Sequence, residues 1–160
     1  LEGWTLLNMR EGTLETMKAL RSTGKYKLAI LSNGDEEMLA KMAKRDFEEH
    51  GFKFDYIFGS SGVEMFKPAP EIYAQVVEKS GLRAEDILHV AGAAFDALGA
   101  KVFGYHVIWN NVENDVFVNL TGEKEYLPDF VMTNITQLSD IMSENTREAL
   151  KVTQMQRIVM

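Results

Sequence analysis

Five short apolar runs, each closed by turn residues and separated by stretches of helix length, constrain this chain more than anything else in it. Residues 27–31 (KLAIL) end in Ser32-Asn33-Gly34, and residues 87–90 (ILHV) end in Ala91-Gly92. Residues 55–59 (DYIFG), 106–109 (HVIW) and 130–132 (FVM) are the other three. Brief runs that are apolar on successive residues suit strands covered on both faces, as in parallel sheets. Helical signals lie between them. Leu14, Met17 and Leu20 share one face ahead of Gly24, and Asp35, Glu36 and Glu37 open a segment that Gly51 closes. Pro70 suits the first turn of a helix running to Gly81, residues 96–103 end at Gly104, and residues 135–150 complete the pattern. Strand and helix alternating at this spacing predict an α/β fold with a doubly wound, Rossmann-like parallel sheet.

Composition narrows the function classes. The 160 residues suit one domain, and 46% hydrophobic with 26% charged residues is a globular balance rather than a disordered one. With no Cys, disulfides, thiolate metal sites and Cys nucleophiles are excluded. A net charge of −7 argues against a nucleic-acid partner, which needs a basic surface. No apolar run has the roughly 20 residues of a membrane helix. Residues 1–10 lack the basic start and apolar stretch of a signal peptide. The expectation is a cytoplasmic protein without membrane or nucleic-acid partners. Residues 143–160 are mixed in character and are read as a helical or frayed tail.

In such sheets ligands bind beyond the carboxyl ends of the strands. Ser32-Asn33-Gly34 places a hydroxyl, an amide and a pliable backbone at one strand end, ahead of a helix N-terminus where an anion is favoured. The same letters also make an ordinary turn. Lys67, followed by Pro68-Ala69-Pro70, is an ammonium held in front of a helix, suited to a carboxylate or an oxyanion; the plain alternative is a solvated loop lysine. Asp96 follows a small apolar stretch, where a carboxylate needs a partner, and Lys67 is the candidate; a helix N-cap is the other reading. Tyr73, one turn after Pro70, faces either the same pocket or the core. His50, His89 and His106 match no metal spacing. His89 and His106 are read as satisfied core or sheet-surface residues rather than ligands.

Together these pieces resemble the haloacid dehalogenase superfamily, and within it most closely the L-2-haloacid dehalogenases. The carrying stretches are Tyr26 through Gly34 (YKLAILSNG), Phe66 through Tyr73 (FKPAPEIY), and Phe95 through Lys101 (FDALGAK) with Phe103-Gly104-Tyr105. Pro128-Asp129-Phe130-Val131-Met132 looks like the family's last core strand. The likeness spans residues 11–142. It implies covalent catalysis by an Asp at the end of a first strand, attacking carbon in dehalogenases or phosphorus in the phosphatase branch. By resemblance Ser32 holds the substrate's anionic group and Asn33 helps receive the halide. Lys67 pairs with the nucleophile, Tyr73 lines the pocket, and Asp96 orients Lys67 and the water. The implied substrate is a small organic anion. No cofactor is implied, apart from magnesium for a phosphatase-like reading.

The chain also departs from that pattern. No Asp precedes Ser32, so the nucleophile of the first motif is missing. Asp129 through Thr133 (DFVMT) has the letters of that motif but follows Pro128 with no apolar strand leading in, and is read as a decoy. The helical cap is absent too, and residues 1–10 look like its return linker, which suggests a truncated chain. Ala91-Gly92-Ala93 stands where dehalogenases have Ser-Ser-Asn, and Gly92 stands where phosphatases have a magnesium-binding Asp. In this family the first strand lies mid-sheet, between the strand ending at Leu31 and the one ending at Val90. Its absence predicts two bare edges, filled by a missing part of the protein, by a homo-oligomeric or other partner chain, or by residues 4–9. Two readings follow: a piece of a haloacid dehalogenase-like hydrolase, inactive as this chain alone, or a non-catalytic relative kept for binding or assembly.

Overall fold

The computed structural model of the chain describes residues 8–143 and 157–160. The strands are β1 (Tyr26–Leu31), β2 (Tyr56–Phe58), β3 (Ile87–Ala91), β4 (His106–Asn110), β5 (Phe130–Met132) and β6 (Arg157–Val159). The helices are α1 (Thr13–Ser22), α2 (Glu36–Asp46), α3 (Pro70–Ser80), α4 (Ala94–Phe103) and the single turn α5 (Leu138–Ile141). All five strands expected from the apolar runs form within a residue of their predicted ends. The sheet is wholly parallel, in the order β2-β1-β6-β3-β4-β5.

Side chains that alternate along a strand point to opposite faces, and two cores result. Ala29, Leu31, Ile87, Ala91, Val107 and Trp109 meet Tyr73 and Val76 of α3 and Ala97 and Ala100 of α4. Leu28, Leu88, Ile108, Met132 and Val159 meet Met17 and Leu20 of α1 and Leu138 of α5. Covering both faces is why the strands read as unbroken apolar runs. The expected helix ends hold locally. The Asp35 side chain caps α2 by accepting from the N–H groups of Glu37 and Met38, Pro70 opens α3, and Gly81 leaves α3 in the left-handed region at φ 72°.

Two aspartates lock the amino ends of neighbouring strands. Asp55 accepts from the N–H of Leu28 at 2.8 Å and pairs with Arg21 at 2.7 Å. Asp129 accepts from the N–H of Val107 at 2.7 Å and pairs with Lys101 at 2.6 Å. Asp129 therefore sits at the amino edge, across the sheet from the ligand-binding edge, which explains why its motif-like letters are a decoy.

Two expectations are corrected. The tail does not simply continue as a helix. Residues 157–159 form β6, running parallel between β1 and β3, with Val159 aligned to both Leu28 and Leu88. Met160 extends the ladder, its N–H donating to Leu88 O while its carbonyl accepts from the N–H of Val90. The mid-sheet position that the resemblance assigns to a first strand is thus occupied by residues 157–160, and β1 and β3 are paired on both sides. Val159 packs into one core and Met160 against the other, and that burial overrides the polar residues before them. The final helix also differs. Residues 135–137 form a 3-10 turn with an Asn134–Gln137 capping box, and α5 is one turn. Residues 144–150 of the expected helix, and residues 4–7 of the alternative filler, lie outside the described residues. Among the described residues no helix is long and apolar enough to cross a membrane.

Candidate active site

The carboxyl edge of the sheet gathers the predicted side chains from three separate motifs. Lys67 reaches back to this edge from the loop before α3, its peptide bond to Pro68 cis. Its Nζ donates to Asp96 Oδ2 at 2.7 Å and to the Leu31 carbonyl at 2.8 Å. Both side chains of the pair are only 9% exposed. An ammonium has three N–H donors, so one remains for a ligand at the open edge.

Asp96 is the third residue of α4, not its N-cap, and its carboxylate is fully engaged. Tyr73 donates its hydroxyl to Oδ1 at 3.0 Å, and His89 Nε2 lies 3.0 Å from Oδ2 beside Lys67. Burial pushes the Asp96 pKa upward. The adjoining His89 ring first, then the Lys67 ammonium, outweigh that and bring it down to about 2. Burial first, then the neighbouring Asp96 charge, drives the Tyr73 hydroxyl far above its ordinary pKa, so it stays a donor. Gly99 is what lets these groups converge. A Cβ there would come within 2.6 Å of Pro68 Cβ and 2.7 Å of the Tyr73 hydroxyl.

Ser32 and Asn33 follow β1 directly. Asn33 Oδ1 accepts from the backbone N–H of Lys67 at 2.7 Å, which ties the two motifs together and turns the amide's NH2 to other use. Ser32 Oγ accepts from the N–H of Gly34 at 3.1 Å, leaving its own hydrogen to donate. Both residues are half-buried. Gly92 and Ala93 are exposed at the same edge, and a Cβ on Gly92 would meet nothing within 4 Å.

Four of the five predicted side chains, Ser32, Asn33, Lys67 and Asp96, line or support one edge. Tyr73 takes the core alternative: it is wholly buried and serves Asp96 from below rather than lining an open pocket. His89 was expected to be a satisfied core residue, yet its ring bonds the site carboxylate and its Nδ1 has no partner among the described groups. The available signal was alternation, which puts His89 on the same face of β3 as Ala91, beneath Asp96. A magnesium site is not supported by the residues present. Gly92 offers no carboxylate, and among the described residues no three Asp, Glu or His side chains are grouped to hold a cation.

The family follows from comparison. Residues 1–104 match the model of the haloacid dehalogenase-like hydrolases. The chain belongs to that family. This haloacid dehalogenase-like hydrolase chain is 29% identical over 128 residues to an (S)-2-haloacid dehalogenase of Pseudomonas putida, covering 80% of this chain and 53% of that one. It is 34% identical to haloacetate dehalogenase H-2 of a Moraxella species, covering 72% and 49%. It thus spans about half the length of the curated relatives it matches. Among solved structures, an L-2-haloacid dehalogenase from Xanthobacter autotrophicus superposes with a TM-score of 0.71 at 26% identity, covering 88% of this chain and 63% of that one. A phosphatase of the superfamily from Thermococcus onnurineus superposes at 0.72 and 26%, covering 89% and 62%.

The buried carboxylates make acid stability predictable. Burial raises the Asp129 pKa, but the nearby His106 ring, the Lys101 ammonium and the Val107 N–H outweigh it and bring it to about 2. A pKa depressed in the folded state stabilises above the ordinary value near ~4, and that contribution is lost as pH falls toward the folded value. Unfolding free energy should therefore hold above pH ~5 and fall between ~4 and ~2. Asp129→Asn should cost about 2 kcal/mol near neutrality and almost nothing near pH 2. Urea titrations at each pH check this; an equal cost at both ends would contradict it.

Proposed function

We propose that this chain carries the lysine–carboxylate half of a 2-haloacid dehalogenase-type active site. The observation behind this reading is the buried Lys67–Asp96 pair at the carboxyl edge, with one ammonium N–H left over. In the proposed reaction a carboxylate held beside Lys67 attacks the halogen-bearing carbon. A C–O bond forms as the C–halogen bond breaks, and the halide leaves with the bonding pair. Water then cleaves the ester, returning the carboxylate and releasing a 2-hydroxy acid and a proton. The Ser32 hydroxyl would hold the substrate's carboxylate, the Asn33 NH2 would receive the halide, and Lys67 would keep the nucleophile ionised. Asp96 would fix Lys67, with Tyr73 behind it. The names of the curated relatives support a haloacid as substrate, and Gly92 disfavours metal-assisted phosphate transfer. We propose a cytoplasmic setting, in keeping with the lack of Cys.

No Asp precedes Ser32, so the 160-residue chain alone is expected to turn nothing over. The experiment compares it with the longest natural polypeptide containing it, each given (S)-2-chloropropionate, or p-nitrophenyl phosphate with magnesium. The expected result is chloride release by the longer polypeptide only, abolished by Lys67→Ala. Phosphate release without chloride release would assign the phosphatase branch instead. Silence of the longer polypeptide on both substrates would favour a binding or assembly role.

A further inference from the structure

We infer that His89 is a positioning residue of this site, held as a neutral imidazole whose Nε2–H fixes the Asp96 carboxylate and, through it, the Lys67 ammonium. His89 stands in the middle of β3 at 2% exposure, facing the core built from α3 and α4. The aromatic neighbours are Tyr73, whose ring meets it edge-on at 6.1 Å, and Tyr105, at 6.4 Å. A purely apolar residue would fill such a position without a polar atom to satisfy. His89 instead makes one hydrogen bond, to Asp96 Oδ2 at 3.0 Å, and leaves Nδ1 buried without a partner among the described groups. Leaving a buried polar atom unmatched is costly, which makes the one bond it does form informative.

The surroundings favour one protonation state. Asp96 is an acceptor, so Nε2 must carry hydrogen; the other tautomer would aim a lone pair at the carboxylate. A doubly protonated ring would bury a second cation next to Lys67 and leave Nδ1–H unbonded. The titratable groups facing the ring are Asp96, Lys67, Tyr73 and Tyr105, from α4, the loop before α3, α3 itself and the segment before β4. Burial, the dominant influence, also lowers the His89 pKa. With Nε2–H and Lys67 sharing Oδ2 and Tyr73 on Oδ1, the carboxylate cannot rotate without losing a bond, and Lys67 inherits that fixed direction.

The inference rests on Lys67–Asp96 being the working pair of the proposed site. Its test reads ring and ammonium directly, so a chain without turnover still decides it. Long-range proton–nitrogen correlation spectra of the 15N-labelled chain, with the His89 signal assigned by its loss in His89→Phe, should show the Nε2–H tautomer unchanged from pH 5 to 8. A ring that titrates in that window, or an Nδ1–H tautomer, would overturn the inference. Labelling of Lys67 by acetic anhydride, read by mass spectrometry, supplies the second arm. His89→Phe should speed it roughly tenfold, the scale of one lost hydrogen bond to a charged acceptor. His89→Gln, which restores an N–H, should return it to within about twofold of the starting rate. Equal labelling in the starting chain and His89→Phe would show a merely structural histidine. Should neither variant fold, the histidine signal lying closest to neutral and non-titrating in the unaltered chain decides: an Nε2–H pattern supports the inference, and three titrating rings refute it.

Discussion

Lys67→Ala is expected to destabilise this chain by about 3–5 kcal/mol, the usual cost of stripping one partner from a buried ion pair. Asp96 would keep its hydrogen bonds from Tyr73 and His89 but lose the Lys67 ammonium that pairs with it, and the Leu31 carbonyl would lose its Nζ donor. The penalty comes mainly from the stranded carboxylate, not from the lost attraction. The double variant Lys67→Met, Asp96→Asn should therefore be more stable than Lys67→Ala, because no buried charge is left unpaired. The effect should also depend on pH. The Asp96 pKa of about 2 reflects the lysine in part, so without it the carboxyl protonates at higher pH. The penalty should be largest above pH ~5 and should shrink as pH falls toward ~2. Urea denaturation across that range measures both effects. A loss below about 1 kcal/mol, flat with pH, would mean that solvent reaches the pair and screens it.

Removing residues 157–160 is expected to cost at least about 4 kcal/mol and to make the chain self-associate. Val159 is 4% exposed and bridges Leu28 and Leu88; burying one such side chain contributes about 1.5–3 kcal/mol. The lost ladder on both flanks adds about 1 kcal/mol per hydrogen bond. More consequentially, β1 and β3 would each expose a row of backbone donors and acceptors in the middle of the sheet. Two facing edges a strand's width apart recruit another strand. Thermal unfolding together with light scattering after size exclusion tests this. The expected outcome is a lower midpoint and species larger than a monomer. An unchanged midpoint with a monomeric profile would show that β6 contributes nothing to the sheet. The milder Val159→Asp places a charge in the same core, and should lower the midpoint without the four-residue deletion.

Much of this molecule was legible in its residues because the signals were local. Apolar runs bounded by Ser32-Asn33-Gly34 or Ala91-Gly92 can hardly be anything but buried strands. Helix ends were written in Asp35, Pro70, Gly81 and Gly104, which act on backbone geometry within a turn. Even the Lys67–Asp96 pair was readable, since a carboxylate flanked by small apolar residues must find a cation and Lys67 had the stiffest approach. Non-local choices were not readable. Which strand sits between β1 and β3 depends on burial from two faces, and the triplet ending in Val159 and Met160 carries no label saying that it belongs at mid-sheet. Whether Tyr73 faces the pocket or the core was not readable either, because only packing against Tyr105 and Phe103 buries it completely. His89 looked like core because it is core; that its Nε2 meets Asp96 depends on how α4 descends over β3. The sequence by itself thus determined five of the six strands, the parallel α/β class and the residues at the carboxyl edge, through short-range patterning. Tertiary structure alone decided what completes the sheet and which groups orient Asp96, because both are set by contacts between segments far apart in the chain.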